Sequence, residues 1–285
     1  MERLRSFLYY LRENPKLGIG LGMIAVLILF GVVGRLLVDP GLAQPLSTTP
    51  RQAPSWEHLF GTDDAGRDLL TVMVVGMPLT IRIGFLAGGV GLGLGILLGF
   101  VSGYLGGKID TVIRGTVDTL LTVPSLVVLI SIASTVREEI SIELMALVVA
   151  SLSWMWPTRT IRAQVLTLRE RAYVQMAKLN GMNSFEIIWK ELFPNLLPYL
   201  AASFVGAVSW AILATIGLEA LGLGPQNEPT MGMTIYWAIT FSALIRGMWW
   251  WWSIPIAFLV LLFVGLFLVA AGLDELANPK QRRAV

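Results

Sequence analysis

Residues 83–104 read IGFLAGGVGLGLGILLGFVSGY and contain no charged side chain. A bilayer core about 30 Å thick needs roughly 20 apolar residues of helix, so this stretch is long enough to cross and strands no charge in lipid. Gly91, Gly95, Gly99 and Gly103 recur every fourth residue, with Ala87 extending the row outward. On a helix they share one face, and small residues at that spacing let two backbones approach closely. A dinucleotide-binding glycine loop is excluded, because no strand precedes the run and no acidic ribose partner follows it.

Outward from this span the chain continues in the same style. It is 55% hydrophobic and only 14% charged over 285 residues, against about 25% charged in soluble domains, and its mean hydropathy is +0.71. No solvated globule sustains those values. Six apolar stretches are expected to cross the membrane: 17–38, 83–104, 116–136, 141–157, 196–224 and a segment within 249–273. The first is longer than the roughly 7–15-residue core of a signal peptide, so it is expected to remain as an anchor. The fold class is all-α, a single polytopic membrane domain over 1–285 with both termini on one side.

Lysine and arginine orient the bundle. One side collects Arg3, Arg5, Arg12, Lys16, Lys108, Arg114, Arg159, Arg162, Arg169, Arg171, Lys178, Lys190, Lys280, Arg282 and Arg283; the other holds Arg51, Arg67, Arg137 and Arg246, with Arg35 and Arg82 near outer span ends. The positive-inside rule places both termini in the cytoplasm. This leaves an extracytoplasmic segment, 39–79, and a basic cytoplasmic segment, 158–197. With no cysteine and one histidine, His58, thiolate chemistry is absent and a metal site is not expected; His58 reads as a surface residue. No dense basic stripe suits nucleic acid. No Gly-x-x-x-x-Gly-Lys-Ser/Thr loop is present, so ATP hydrolysis is not a property of this chain.

The cytoplasmic segment predicts two short helices. The first, from Arg171, stops at Gly181, a residue that tolerates the left-handed conformation of a helix stop. Asn183 with Glu186 three residues later forms a capping box that starts the second, whose Phe185, Ile188, Trp189 and Leu192 share a face before Pro194 ends it. Such a pair either protrudes toward a partner or lies flat on lipid. On the outer side, Thr62 is a candidate N-cap for a helix carrying Asp63 and Asp64 in its first turn, with Arg67 paired to one of them. Asp118 and Glu219 are the ionisable groups inside spans to watch, since such groups usually need a partner or a role. Asp118 is expected to pair with Arg114 or face a cytoplasmic cavity, and Glu219 to brace an outer gate. The tetrad Trp249 to Trp252 is expected to anchor at the headgroups.

Tyr173, Ala177, Gly181 and Pro194 are spaced as in the cytoplasmic EAA loop of the membrane subunits of ATP-binding-cassette importers, which the segment resembles. Gln175-Met176-Ala177 stands where that loop reads Glu-Ala-Ala, and Glu191-Leu192-Phe193-Pro194 where it reads Ile-x-Leu-Pro. Residues 61–68, GTDDAGRD, look like the Gly-Thr-Asp-x-x-Gly-Arg-Asp segment of the dipeptide, oligopeptide and nickel branch of these permeases. Similar to the same branch are Gly103-Tyr-Leu-Gly-Gly107 with Asp110, Asp118 and Pro124-Ser125-Leu126, and Glu219-Ala-Leu-Gly-Leu-Gly224. The nearest likeness is to the second permease type of such importers.

The resemblance implies a translocation subunit, not an enzyme, in a bacterial or archaeal cell (inner) membrane. Its implied partners are a second permease, two cytoplasmic ATPases that carry the ATP and magnesium, and an extracytoplasmic binding protein. ATPase coupling is expected at Ala172, Tyr173, Ala177, Gly181 and Phe185. Thr62, Asp63, Asp64, Arg67 and Asp68 are expected to form either a binding-protein contact or an outer scaffold. Di- or oligopeptides are the expected cargo, with nickel complexes, glutathione or oligosaccharides as alternatives. The rival class, a secondary transporter working alone, usually shows internal repeats and several midplane charges, which are not evident here.

Overall fold

A computed structural model describes residues 14–137 and 139–277. In chain order the α-helices are α1 (Pro15–Leu37), α2 (Leu69–Leu105), α3 (Gly107–Leu120), α4 (Ser125–Thr135), α5 (Ile142–Ser153), α6 (Met155–Arg169), α7 (Ala172–Leu179), α8 (Ser184–Glu219), α9 (Met231–Thr240) and α10 (Trp249–Ala277). Among the described residues the only β-type pairing is one bridge, Thr62 to Asp68. The six terminal cations Arg3, Arg5, Arg12, Lys280, Arg282 and Arg283 lie outside the described residues.

The all-helical class and its membrane character hold, but the count of unbroken spans does not. Four helices, α1, α2, α8 and α10, are long and apolar enough to cross by themselves. The expected span 116–136 is instead α3 and α4, meeting at 84°. Pro124 heads α4, and a proline pushes the residue before it away from helical backbone, which is why α3 stops short of it. The expected span 141–157 divides into α5 and α6 at Trp154. Pro157 has no N–H to give the carbonyl of Ser153 and its ring crowds that group, so the ladder breaks at that turn.

Two other boundaries move. Asp68 caps α2 by accepting from the Thr71 backbone N–H at 2.9 Å. Its 37 residues extend about 55 Å at 1.5 Å per residue, so the last eleven residues assigned to the outer segment, 69–79, are helix. Pro194 does not end the helix that starts at Ser184: the chain passes through a π-helical turn, Ile187–Leu192, and continues as α8. A π turn is one way for a helix to absorb a missing ladder bond. Short α9 was not anticipated.

The glycine row of α2 sets the centre of the bundle. A Cβ on Gly91 would fall 1.9 Å from Ser153 Oγ, on Gly95 2.5 Å from Pro157 Cβ, on Gly99 3.0 Å from Ile161 Cβ and on Gly103 2.9 Å from Val165 Cβ. The row is therefore the seat of α5 and α6, and Ser153 Oγ donates to the Ala87 carbonyl at 3.0 Å. Lower on the same helix, Gly84 and Gly88 meet Ile212 and Val208 of α8. Pairing α1 with α10 and α10 with α8 completes the packing.

The tryptophan tetrad departs from its expected place. Trp249 is exposed, but Trp250 and Trp251 are buried and belong to the core with Met73, Trp237 and Met248. Their rings fill the junction between α10, α9 and the outer segment rather than forming a headgroup girdle.

Candidate coupling surface and its supports

Chain chemistry makes the inner loop a rigid step. Helix α7 ends with Gly181 at φ +79°, the left-handed stop expected from sequence. Asn183 Oδ1 accepts from the Glu186 N–H at 2.9 Å, and a Glu186 carboxylate oxygen accepts from the Asn183 N–H at 3.1 Å, so the capping box forms. Val174 and Ala177 turn inward and pack with Ile161, Val165, Ile187 and Leu192. Ala177 is thus a packing residue, with its side chain turned away from solvent. Tyr173 is half-buried with an unpartnered hydroxyl, and burial pushes its phenol above the ordinary value. Ala172, Gly181 and Phe185 are exposed.

With one face of α7 committed inward, the other presents apolar groups to solvent. Met176 is 57% exposed, Leu179 81%, Phe185 74% and Trp189 59%, and Trp189 stacks on Phe193 with ring centroids 5.0 Å apart. These side chains, on α7 and the start of α8, give the loop exposed apolar surface, which is a candidate interaction site. Sequence reasoning missed Met176 and Leu179, although helical periodicity around Val174 and Ala177 places them on the opposite face.

The loop hangs from α6, and charges tie α6 to α3. Arg162 holds Asp110 through Nε at 2.5 Å and Nη2 at 2.6 Å, and Ser102 Oγ also donates to Asp110. Asp118 lies 3.3 Å from Arg114 Nε and 3.8 Å from Arg159 Nε, partly exposed beside a small polar pocket between α3 and α6. The structure therefore brings Asp118 to both its expected partner and a second one.

The outer motif folds differently from expectation. Thr62 caps no helix; its hydroxyl donates to the Thr49 carbonyl and accepts from the Gln52 N–H, both at 2.8 Å. Asp63 Oδ1 accepts from the N–H groups of Ala65 and Arg67 at 2.9 and 2.8 Å, while Arg67 Nε sits 3.1 Å from Asp63 Oδ2. The Arg67 guanidinium lies 3.5 Å above the Trp237 ring. Burial raises the Asp63 carboxyl above its ordinary pKa, opposed by the Arg67 backbone N–H and charge, and burial lowers Arg67. Asp64 receives Arg51 and Arg246. Asp68 takes Thr71 on one oxygen and His58 Nδ1, 2.8 Å away, on the other. His58 is buried rather than superficial. Thr62, Asp63, Arg67 and Asp68 are all buried, and the motif is a turn tied to residues 49–58 and to Trp237.

Glu219 closes α8. Its carboxylate is fully buried against Gly224 and Gly232, close to the first turn of α9. Neither oxygen makes a well-directed hydrogen bond.

The chain is similar to known proteins over most of its length. The dipeptide transport system permease protein DppC of Alkalihalophilus pseudofirmus is 31% identical over 95% of this chain and 88% of its own length. That of Bacillus subtilis is 29% identical over 96% and 84%. The oligopeptide transport system permease protein OppC of Mycobacterium bovis is 32% identical over 81% and 79%. Residues 95–283, which span α3 to α10 and the exposed loop surface, match the family described as binding-protein-dependent transport system inner membrane component. The chain belongs to that family: it is a multi-pass membrane permease subunit of the ATP-binding-cassette importer type.

Proposed function

We propose that this chain is one of two permease subunits through which di- or oligopeptides enter the cell by ATP-driven alternating access. The observation that carries the reading is the apolar patch of Met176, Leu179, Phe185 and Trp189 on a loop rooted in α6, which is itself seated on the glycine face of α2. A cytoplasmic ATPase gripping that patch would move α6 and α2 as one body, and Ala172, Tyr173, Ala177 and Gly181 shape the step that carries it. Two ATPase subunits supply ATP and magnesium, and a binding protein delivers cargo at the outer mouth. Counting α3 with α4, and α5 with α6, as broken crossings gives six passages with cytoplasmic termini, in keeping with the positive-inside asymmetry. Thr62, Asp63, Asp64, Arg67 and Asp68 act as the outer scaffold. Asp118 is part of an inner ionic latch, and Glu219 a brace between α8 and α9. Peptide is favoured as cargo because the relatives above are named for dipeptide and oligopeptide transport.

The test is transport and ATPase activity of the complex, reconstituted with its second permease, ATPases and binding protein. Short peptides should stimulate hydrolysis and accumulate in vesicles, and both effects should vanish without this subunit. Stimulation by nickel complexes or oligosaccharides alone would replace the cargo. Transport by this chain alone without ATP would overturn the reading.

A further inference from the structure

The cleft between α3 and α6 holds more positive charge than its neighbours use. Its volume is about 220 Å3, and its polar lining is Arg114, Asp118, Thr158, Arg159 and Arg162. Arg162 is spent on Asp110 through two hydrogen bonds, and the Thr158 hydroxyl on the Trp154 carbonyl at 2.8 Å. Arg114 and Arg159 are not spent. Each is more than half exposed, and they share one carboxylate, Asp118, at 3.3 and 3.8 Å, longer than the roughly 2.7–2.9 Å of a strong guanidinium–carboxylate bond. Among the described residues Arg159 donates no hydrogen bond, and Arg114 only the one from Nε.

The cleft lies at the depth of one leaflet. Thr158 faces the gap between Gly95 and Gly99 of α2, and α2 ends at Leu105, so the cleft is about 9–15 Å along the helix from its inner end. An arginine there needs an anion beside it or must stretch to the headgroups. Helix α3 turns 84° from α4 and has two unlike flanks: Ile109, Val112 and Leu120 are exposed on one, while Asp110 and Asp118 meet arginines of α6 on the other. Such a division suits a helix lying between headgroups and acyl chains.

We infer that the cleft between α3 and α6 binds the phosphate of one acidic phospholipid, with Arg114 and Arg159 as its ligands. An arginine fork meets phosphate oxygens in pairs, and basic pockets between membrane helices on the cytoplasmic side take acidic headgroups. The three guanidinium groups of the cleft meet only the carboxylates of Asp110 and Asp118, which leaves one positive charge for the one negative charge of a phosphodiester. The volume is below the roughly 300–1,000 Å3 of sites for drug-sized molecules, so it admits a headgroup and little more. A phosphate held there ties α3 to α6, the helix from which the coupling loop hangs. Assignment to the inner leaflet rests on the cytoplasmic placement of that loop proposed above.

Native mass spectrometry of the purified complex, titrated with phosphatidylglycerol, reads the lipids retained. Arg114→Gln combined with Arg159→Gln should remove one tightly held phosphatidylglycerol and weaken its binding at least tenfold. Lys108→Gln, which deletes an exposed cation of α3 outside the cleft, should not. Asp118→Asn should act in the opposite direction and tighten binding several-fold, because it removes the carboxylate that competes for both arginines; this variant decides the matter even if the double substitution prevents assembly. Unchanged lipid binding in Asp118→Asn would mean that the arginines serve only to neutralise Asp118, and would overturn the assignment. Equal retention of phosphatidylcholine would do the same, as would inorganic phosphate stabilising the complex through these arginines with no effect of phosphatidylglycerol. Labelling of Lys108→Cys by an impermeant maleimide added from outside would instead overturn the cytoplasmic placement, so the two failures are separable.

Discussion

The outer turn at 61–68 and the inner loop at 172–192 solve opposite problems. The outer turn is rich in charge yet turned inward: Asp63, Arg67 and Asp68 are buried and consumed by each other, by backbone N–H groups, by His58 and by Trp237. The inner loop is poorer in motif yet turned outward, with Leu179 and Phe185 mostly in solvent. A polar signature that matches a family strongly can thus be the part that holds the chain together. The surface open to a partner can be a handful of apolar side chains that no motif names.

That contrast is broken or sharpened by substitutions on each side. Arg67→Ala should have the largest effect on stability. It leaves the Asp63 carboxylate buried without its cation, and breaking such a pair costs about 3–5 kcal/mol, so a large fall in the melting temperature of the purified complex, or loss of the subunit from the membrane, is expected. Gly181→Val should cost less, on the order of 1–2 kcal/mol, the penalty of left-handed backbone for an L-residue, because no atom stands where its Cβ would go. Its main result should be ATP hydrolysis without transport, measured in vesicles at equal subunit abundance. Normal transport by that variant would sink the role given to the loop.

Acidity provides a subtler test. The folded-state pKa of Asp63 is raised by burial, so the folded chain binds that proton more tightly than the unfolded chain does. Stability from this group therefore increases as pH falls through the raised value and levels off below the unfolded value. In Arg67→Ala the shift should grow, and each unit is worth about 1.4 kcal/mol. The variant's deficit in melting temperature should shrink on moving from neutral to mildly acidic buffer, whereas an unchanged deficit would mean that the carboxylate is not the source. The smallest effect on stability is expected from Phe185→Ser, within about 0.5 kcal/mol as for exposed positions generally. ATPase recruitment should nevertheless weaken at least tenfold in pull-down titrations, since aromatic anchors dominate interfaces. If Phe185→Ser destabilises the subunit strongly, or leaves recruitment intact, the comparison between the two regions is wrong.

Particular residues show why some of this was legible. The stop at Gly181 and the Asn183 to Glu186 box depend on neighbours within four residues, so local chemistry decides them and both form as read. The spacing of Gly91, Gly95, Gly99 and Gly103 implies a close helix partner but not which one; the seat on Ser153, Pro157, Ile161 and Val165 emerges only from packing. The spans 116–136 and 141–157 were read as continuous because hydropathy averages across Pro124 and Pro157 and is blind to a missing ladder bond. Thr62 was misread because a serine or threonine before acidic residues caps a helix only if a helix follows, and here Asp68 takes that role.

The amino-acid sequence by itself therefore determined that the chain is helical, lives in a membrane and carries a family's loop and outer motif, because apolar length, charge placement and short-range spacing are one-dimensional properties. Tertiary structure alone decided which charges are spent internally, where the helices break, and that Met176 and Leu179 are exposed along with Phe185. Those outcomes depend on atoms far apart in the chain competing for the same neighbours, and no local pattern records the result of that competition.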